Sequence, residues 1–196
     1  MSRPVTGKKA RTQAQLIDAA FAEVVENGFA AASLDAIARR AGMTKGAIYS
    51  NYRDKAELLM AVRDAKEPRI RLRFEAGATL SRQMELMADA VTDDLPRSAD
   101  SIRFVTDYHR YASADSDFHD ALASQYARMF GRGAAFFAAY ADELAVSPRE
   151  FAVLIQTMIM GLVQQSILTP GDVNADLIRN AFRLLGEGAK RKPTQT

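Results

Sequence analysis

The chain contains no cysteine, which removes disulfides, thiolate metal sites and a cysteine nucleophile together and fits a reducing compartment. Its two histidines, His109 and His119, lie ten positions apart on different predicted helices, with no acid at ligand spacing, so no metal site is expected. No run of about 18 apolar residues occurs, which argues against a membrane-spanning helix. The start MSRPVTGKKARTQ is basic but lacks the apolar stretch of a secretory signal, and a cytoplasmic protein is expected. A nucleophile–base–acid set, a phosphate-cradling glycine loop, strand-like alternation of useful length and internal repeats are all missing. No enzymatic activity and no cofactor are expected.

What is present is ample core material: 48% of the 196 residues are apolar and 26% charged. The net charge of +2 is unevenly placed. Residues 1–55 hold nine basic and five acidic side chains, which makes +4 there and −2 for the remainder. A basic first quarter on a nearly neutral chain points to a local anionic partner.

Apolar residues recur at helical spacing almost throughout. From Arg11 to Asn27, Leu16, Ile17, Ala20, Phe21, Val24 and Val25 share a face, and Asn27-Gly28 forms a stop. Ser33 is placed to cap a second helix, Leu34 to Ala41, and Thr44 a third, which Ile48 and Tyr52 pin inward. Asp54 caps a fourth, with Leu58, Leu59 and Val62 facing in, and Pro68 should kink or interrupt a connecting helix. Further helices are predicted over 78–94, 99–113, 117–143, 148–168 and 173–189, the fourth of these opened by Ser147-Pro148. The expected fold is all-α: an N-terminal three-helix helix-turn-helix domain joined to a larger helical bundle. Residues 1–55 form the first domain with a basic N-terminal arm, 56–190 the second, and 191–196 a disordered tail.

Two short helices joined by a turn with Gly42 at its centre match a helix-turn-helix, whose second helix lies in the major groove of DNA. With Ile48 and Tyr52 facing in, Lys45 and Tyr49 fall on the opposite side, four apart. Lysine neutralises a phosphate and a tyrosine hydroxyl bonds one. Gly46 lets the backbone approach closely, while Ser50 and Asn51 are small polar groups that reach base edges or phosphates. Lys55 is positioned to grip another phosphate. Arg39 and Arg40 read as a solvated face. Arg3, Lys8, Lys9 and Arg11 form either a disordered arm adding nonspecific affinity or charges without measurable effect.

Residues 11–62 resemble the DNA-binding domain of the TetR family of transcriptional regulators. The likeness is carried by Gly28-Phe29, by Ser33 where threonine is common, by IARRAG and KGAIY, and by Lys55 before Glu57-Leu58-Leu59. It implies a homodimeric regulator, usually a repressor, that a small molecule releases from palindromic operator DNA. Carried over by position, it implies DNA contacts from Lys45, Gly46, Tyr49, Asn51 and Lys55, with Ser33 and Thr44 as phosphate-contacting caps. The chain departs from the pattern at YSNY, where histidine and phenylalanine more often stand last, and this leaves the operator preference open.

The larger domain interleaves aromatic and methionine side chains with a few polar groups, as an adaptable apolar pocket requires. The candidate lining is Phe104, Tyr108, Tyr126, Phe130, Met158 and Leu162, against the competing reading that such stripes are core. An effector bound there would be partly apolar. Gly131 and Gly133 read as sites of close helix packing. The last two long helices, by resemblance, join two copies in a four-helix interface. The alternative reading is a DNA-binding dimer without a small-molecule effector.

Overall fold

The computed structural model describes residues 5–66, 70–95 and 99–189. Among these the fold is all-α, as expected. Helix α1 (Val5–Ala31) starts earlier than the sequence pattern indicates, so Lys8, Lys9 and Arg11 sit in exposed helical turns and not in an unstructured arm. Arg3, assigned to the same arm, lies outside the described residues, as does the tail 191–196. At Gly28 the backbone leaves helical geometry (φ 81, ψ 163), a conformation open to glycine and strained for residues with a Cβ. The single turn beyond it carries Phe29 into full burial.

Helix α2 (Leu34–Arg40) is capped by Ser33, whose Oγ accepts from the Ala36 amide at 3.1 Å. Helix α3 (Lys45–Tyr49) is capped by Thr44, whose Oγ1 accepts from the Ala47 amide at 3.3 Å. Between them Gly42 takes a positive φ of 65, which closes the turn. Helix α4 (Lys55–Lys66) begins at Asp54, whose carboxylate accepts from the Glu57 amide at 2.7 Å. Leu58, Leu59 and Val62 of α4 are fully buried, with Leu16, Ala20 and Val24 of α1 equally withdrawn from water.

These helices form one compact unit, residues 1–67, together with residues 103–124. The second segment takes in the later part of α6 (Ala99–Ala112) and the first part of α7 (Ser116–Phe137). An aromatic cluster joins the two segments: the Phe29 ring lies 5.2 Å from Phe104, 5.8 Å from Phe118 and 5.9 Å from Tyr111, centroid to centroid. Such offset and tilted rings add to simple area burial.

The second unit comprises 68–102 and 125–196. It contains α5 (Leu80–Asp94), α8 (Pro148–Leu168) and α9 (Ala175–Gly188). Helix α8 opens with a capping box in which Ser147 and Glu150 satisfy each other's backbone amides. The expectation of a connecting helix past Pro68 is corrected. Pro68 itself is outside the described residues, but α4 ends at Lys66 and residues 70–79 form a non-helical strap. Ile70 and Leu72 pack on the core while Arg71 and Arg73 are exposed, an alternation that belongs to extended chain, and Phe74, though exposed, sets its ring 4.4 Å from that of Phe136. Buried Gln83 binds the strap through the backbone of Glu75 and meets Tyr140, whose hydroxyl donates to the Ala78 carbonyl at 2.8 Å. Helix α7 therefore ends at Phe137, short of the predicted 143, and a 3-10 turn over Ala138–Tyr140 aims that hydroxyl.

The two glycines of α7 differ. A Cβ on Gly133 would lie 2.7 Å from the Ala152 Cβ of α8, whereas one on Gly131 would meet nothing within 4 Å. Among the described residues no helix is long and apolar enough to cross a membrane. Gly133→Ala should cost about 1–3 kcal/mol, because Ala152 has no flexible end to move aside. Gly131→Ala should be neutral or stabilising by up to about 1 kcal/mol, through helix propensity. Urea unfolding of the two variants measures both values, and equal effects would contradict the packing assignment.

Candidate nucleic-acid interface

Helix α3 is only five residues long, and its two faces are sharply divided. Ile48 is fully buried, and Tyr52 is 6% exposed, its phenol pKa raised by burial and by the nearby Glu57 carboxylate. On the opposite face Tyr49 is 53% exposed. Lys45 is also exposed, and its ammonium lies 3.1 Å from Asp35 on α2. That hydrogen bond first, then the charge of Asp35, raises the lysine pKa, with a smaller contribution from Tyr49. Gly46 is not required by packing within the chain, since a Cβ there would meet only the Thr44 Oγ1 at 3.7 Å. Ser33 and Thr44 are exposed caps, and the hydroxyl oxygen of each accepts a backbone N–H.

The remaining sequence-selected residues are oriented differently. Ser50 is exposed and donates to the Gly46 carbonyl at 2.9 Å. Asn51 turns back along the helix, its amide donating to the Ala47 carbonyl at 2.8 Å and its Oδ1 buried without a partner. Carbonyls at the end of a short helix run out of intrahelical partners, which explains why Asn51 folds back onto that of Ala47, whereas Ser50 adds its hydroxyl to the Gly46 carbonyl that already accepts its own amide at 3.0 Å. Lys55 is half-buried: its ammonium donates to the Ala30 carbonyl at 3.3 Å and stands 5.2 Å from the Tyr111 ring centroid. Burial lowers its pKa, against the opposing influence of Asp115. Thr44, Lys45, Gly46, Tyr49 and Ser50 are therefore displayed on and around α3, while Asn51 and Lys55 point into the unit. Asp35 was not legible as a site residue, because an acid in the first turn of a helix reads simply as favourable to its dipole.

Several side chains fix this surface from behind. Arg40 is ion-paired with Glu26 and also with buried Glu23 at 3.2 Å, which ties α2 to α1. Asp107 of α6 accepts the Phe29 amide at 2.7 Å, immediately after the Gly28 break, and pairs with Arg110. Asp115 accepts from the Tyr111 hydroxyl at 2.5 Å and from the Phe118 amide at 2.9 Å, so it caps α7 and holds the ring beneath Lys55.

The six candidate pocket residues divide between the two compact units. Phe104 and Tyr108 are buried in the first unit against Phe29. Tyr126, Phe130, Met158 and Leu162 belong to the second, where Tyr126 stacks on Phe130 at 5.9 Å and its hydroxyl points to the Met160 sulfur at 3.7 Å. None of the six lines the cleft of about 370 Å³ between α5 and α9, whose walls include Met84, Glu85, Arg179 and Arg183. Among the described residues no group of three potential metal ligands occurs.

The family model described as "Bacterial regulatory proteins, tetR family" matches residues 16–62, which span the whole α2–turn–α3 surface. The HTH-type transcriptional regulator TtgW of Pseudomonas putida is 34% identical over 93 residues, covering 47% of this chain and 69% of that protein. The chain belongs to the TetR family. A second relative, the HTH-type transcriptional regulator SrpR of Pseudomonas putida, is also 34% identical over 93 residues, but the chain spans only 44% of its length. In three dimensions the TetR fold extends across the chain. NalD, described as the secondary repressor of the MexAB-OprM multidrug efflux pump in Pseudomonas aeruginosa, superposes with a TM-score of 0.69. The match covers 94% of this chain and all of NalD at 21% identity.

The Asp115 hub gives a pH-dependent expectation. The Tyr111 hydroxyl first, then the Phe118 amide, holds its carboxyl below the usual aspartate range. A depressed folded pKa means that its stabilisation is complete above the unfolded value of about 3.9 and fades as pH falls through the folded one. Asp115→Ala should therefore lower the melting temperature at pH 7, with a difference from wild type that shrinks below about pH 4. Thermal melts across pH measure this, and a pH-independent difference would leave only the loss of the cap.

Proposed function

We propose that this TetR-family chain is a dimeric transcriptional repressor that binds palindromic operator DNA and is released by a small, partly apolar effector. The observation that carries the reading is the division of α3: Ile48 and Tyr52 anchor it, while Tyr49 and Lys45 stand in solvent opposite them. An exposed tyrosine on a five-residue helix costs apolar exposure without any gain in folding, and contact with DNA supplies the gain.

Residues 1–55 would read DNA, with 56–190 serving effector binding and dimerisation. Support for the dimer comes from α8 and α9, where Leu154 and Leu168, and Leu177 and Leu184, are exposed at helical spacing. Two such stripes on each copy make a four-helix contact under a two-fold axis. That axis places two recognition helices about one DNA turn, ~34 Å, apart. For the effector, Tyr126, Phe130 and Met158 remain half-buried and adaptable once Phe104 and Tyr108 are taken up by the aromatic core. An effector favouring a conformation with wrongly spaced recognition helices would draw the dimer off DNA by population shift. The chain passes between the two compact units within α6 and α7, so these helices join α4 as routes for such coupling.

The packed state of Phe104 and Tyr108 also favours a second reading, a DNA-binding dimer with no effector. A thermal-shift screen with lipophilic, cationic and aromatic metabolites separates the two, and stabilisation by none of them would favour the second. Lys45→Ala and Tyr49→Ala should each weaken binding to selected operator DNA by roughly tenfold or more at physiological salt, with sedimentation unchanged. Wild-type affinity in both variants would remove α3 from the interface.

A further inference from the structure

The exposed pair Asp35–Lys45 has no role in folding that requires both partners. It joins the first turn of α2 to the first residue of α3, and both side chains are largely open to solvent, at 68% and 47%. Exposed pairs of this kind contribute little to stability. A carboxylate at a surface facing a polyanion is unfavourable unless a cation neutralises it and a donor group meets it. Lys45 supplies the first condition through Asp35 Oδ2, and the 68% exposure of the Asp35 side chain leaves room for a donor to meet the carboxylate. Tyr49 follows Lys45 by four positions on the exposed face of α3 and is itself 53% exposed, so Asp35, Lys45 and Tyr49 form one outer patch.

In the major groove the only donors on base edges are the amino groups of cytosine and adenine. Adenine places its N7 acceptor beside the amino group, where a carboxylate is repelled, whereas cytosine presents the donor alone. We infer that Asp35 is a specificity-determining residue that selects cytosine at one position of each operator half-site, with Lys45 neutralising it. Lys45 then acts in base readout through Asp35 and spends its remaining N–H groups on guanine or phosphate oxygens. The inference rests on the proposed DNA-binding role and adds to it the identity of one base.

Selection of bound DNA from a random duplex pool, with the full-length wild type, Asp35→Asn and Asp35→Ala, tests the assignment. The wild type should show one strongly preferred cytosine per half-site. Asp35→Asn should move the preference at that position to adenine, whose N6 and N7 an amide matches. Asp35→Ala should erase the preference there, a loss of roughly 5- to 100-fold discrimination, while every other position keeps its base. Circular dichroism checks that the variants are folded, which exposure of the side chain favours. Unchanged base preferences in both variants, with affinity merely raised or lowered for all sequences alike, would reduce Asp35 to a surface charge and overturn the inference. A wild-type site lacking such a cytosine would overturn it too. If the wild type selects no sequence at all, the DNA-binding proposal itself fails.

Discussion

A five-residue helix has no stability of its own, because nucleation consumes more order than so few hydrogen bonds return. Everything around α3 answers that constraint. Thr44 satisfies one end, the Gly42 turn fixes the approach from α2, and buried Ile48 and Tyr52 hold the inner face. Because the anchors consume the inner face entirely, the outer face is free of packing duties and its residues are open to selection for contact alone. Gly46, Tyr49 and the Asp35–Lys45 pair occupy that outer side.

Behind α3 the support is layered in a definite order. Arg40 clamps α2 to α1 through two glutamates, one of them buried. Helix α1 breaks at Gly28 so that Phe29 drops into a ring cluster with Phe104, Tyr111 and Phe118. Asp107 accepts the Phe29 amide and so fixes the break from the other side. The carboxylate of Asp107 would also stand 3.1 Å from any Cβ at position 28, so the glycine is specified twice, by backbone angle and by this contact.

The sequence was most legible where one residue decides one local feature. Ser33, Thr44, Asp54 and Ser147 cap the helices they were assigned to, and Ile48 and Tyr52 anchor α3. It was less legible where a side chain had two physically sensible destinations. Lys55 and Asn51 read as outward donors, yet one found a carbonyl and an aromatic ring and the other a free helix-end carbonyl. Periodicity cannot decide between solvent and such partners: those of Lys55 come from distant parts of the chain, and that of Asn51 is the Ala47 carbonyl of α3. Phe104 and Tyr108 illustrate the same limit: an aromatic stripe fits pocket or core, and only the position of Phe29 settles which. The strap misled for another reason. The alternation of Ile70, Leu72 and Phe74 with arginines was present, but it was too short to outweigh the helical pattern on either side.

The aromatic cluster also bears on how such proteins exchange parts during evolution. The α2–turn–α3 surface lies within the first quarter of the chain, yet Phe29 finds four ring neighbours between positions 104 and 118. A recombination event that joined residues 1–67 to the remainder of another family member would import Phe29 and Gly28 without Phe104, Asp107 and Tyr111. The hybrid would have to recover a matching ring socket before its recognition helix could be held in place. The first 67 residues of this chain are thus not freely exchangeable, because Gly28 and Phe29 depend on a handful of residues between 104 and 118.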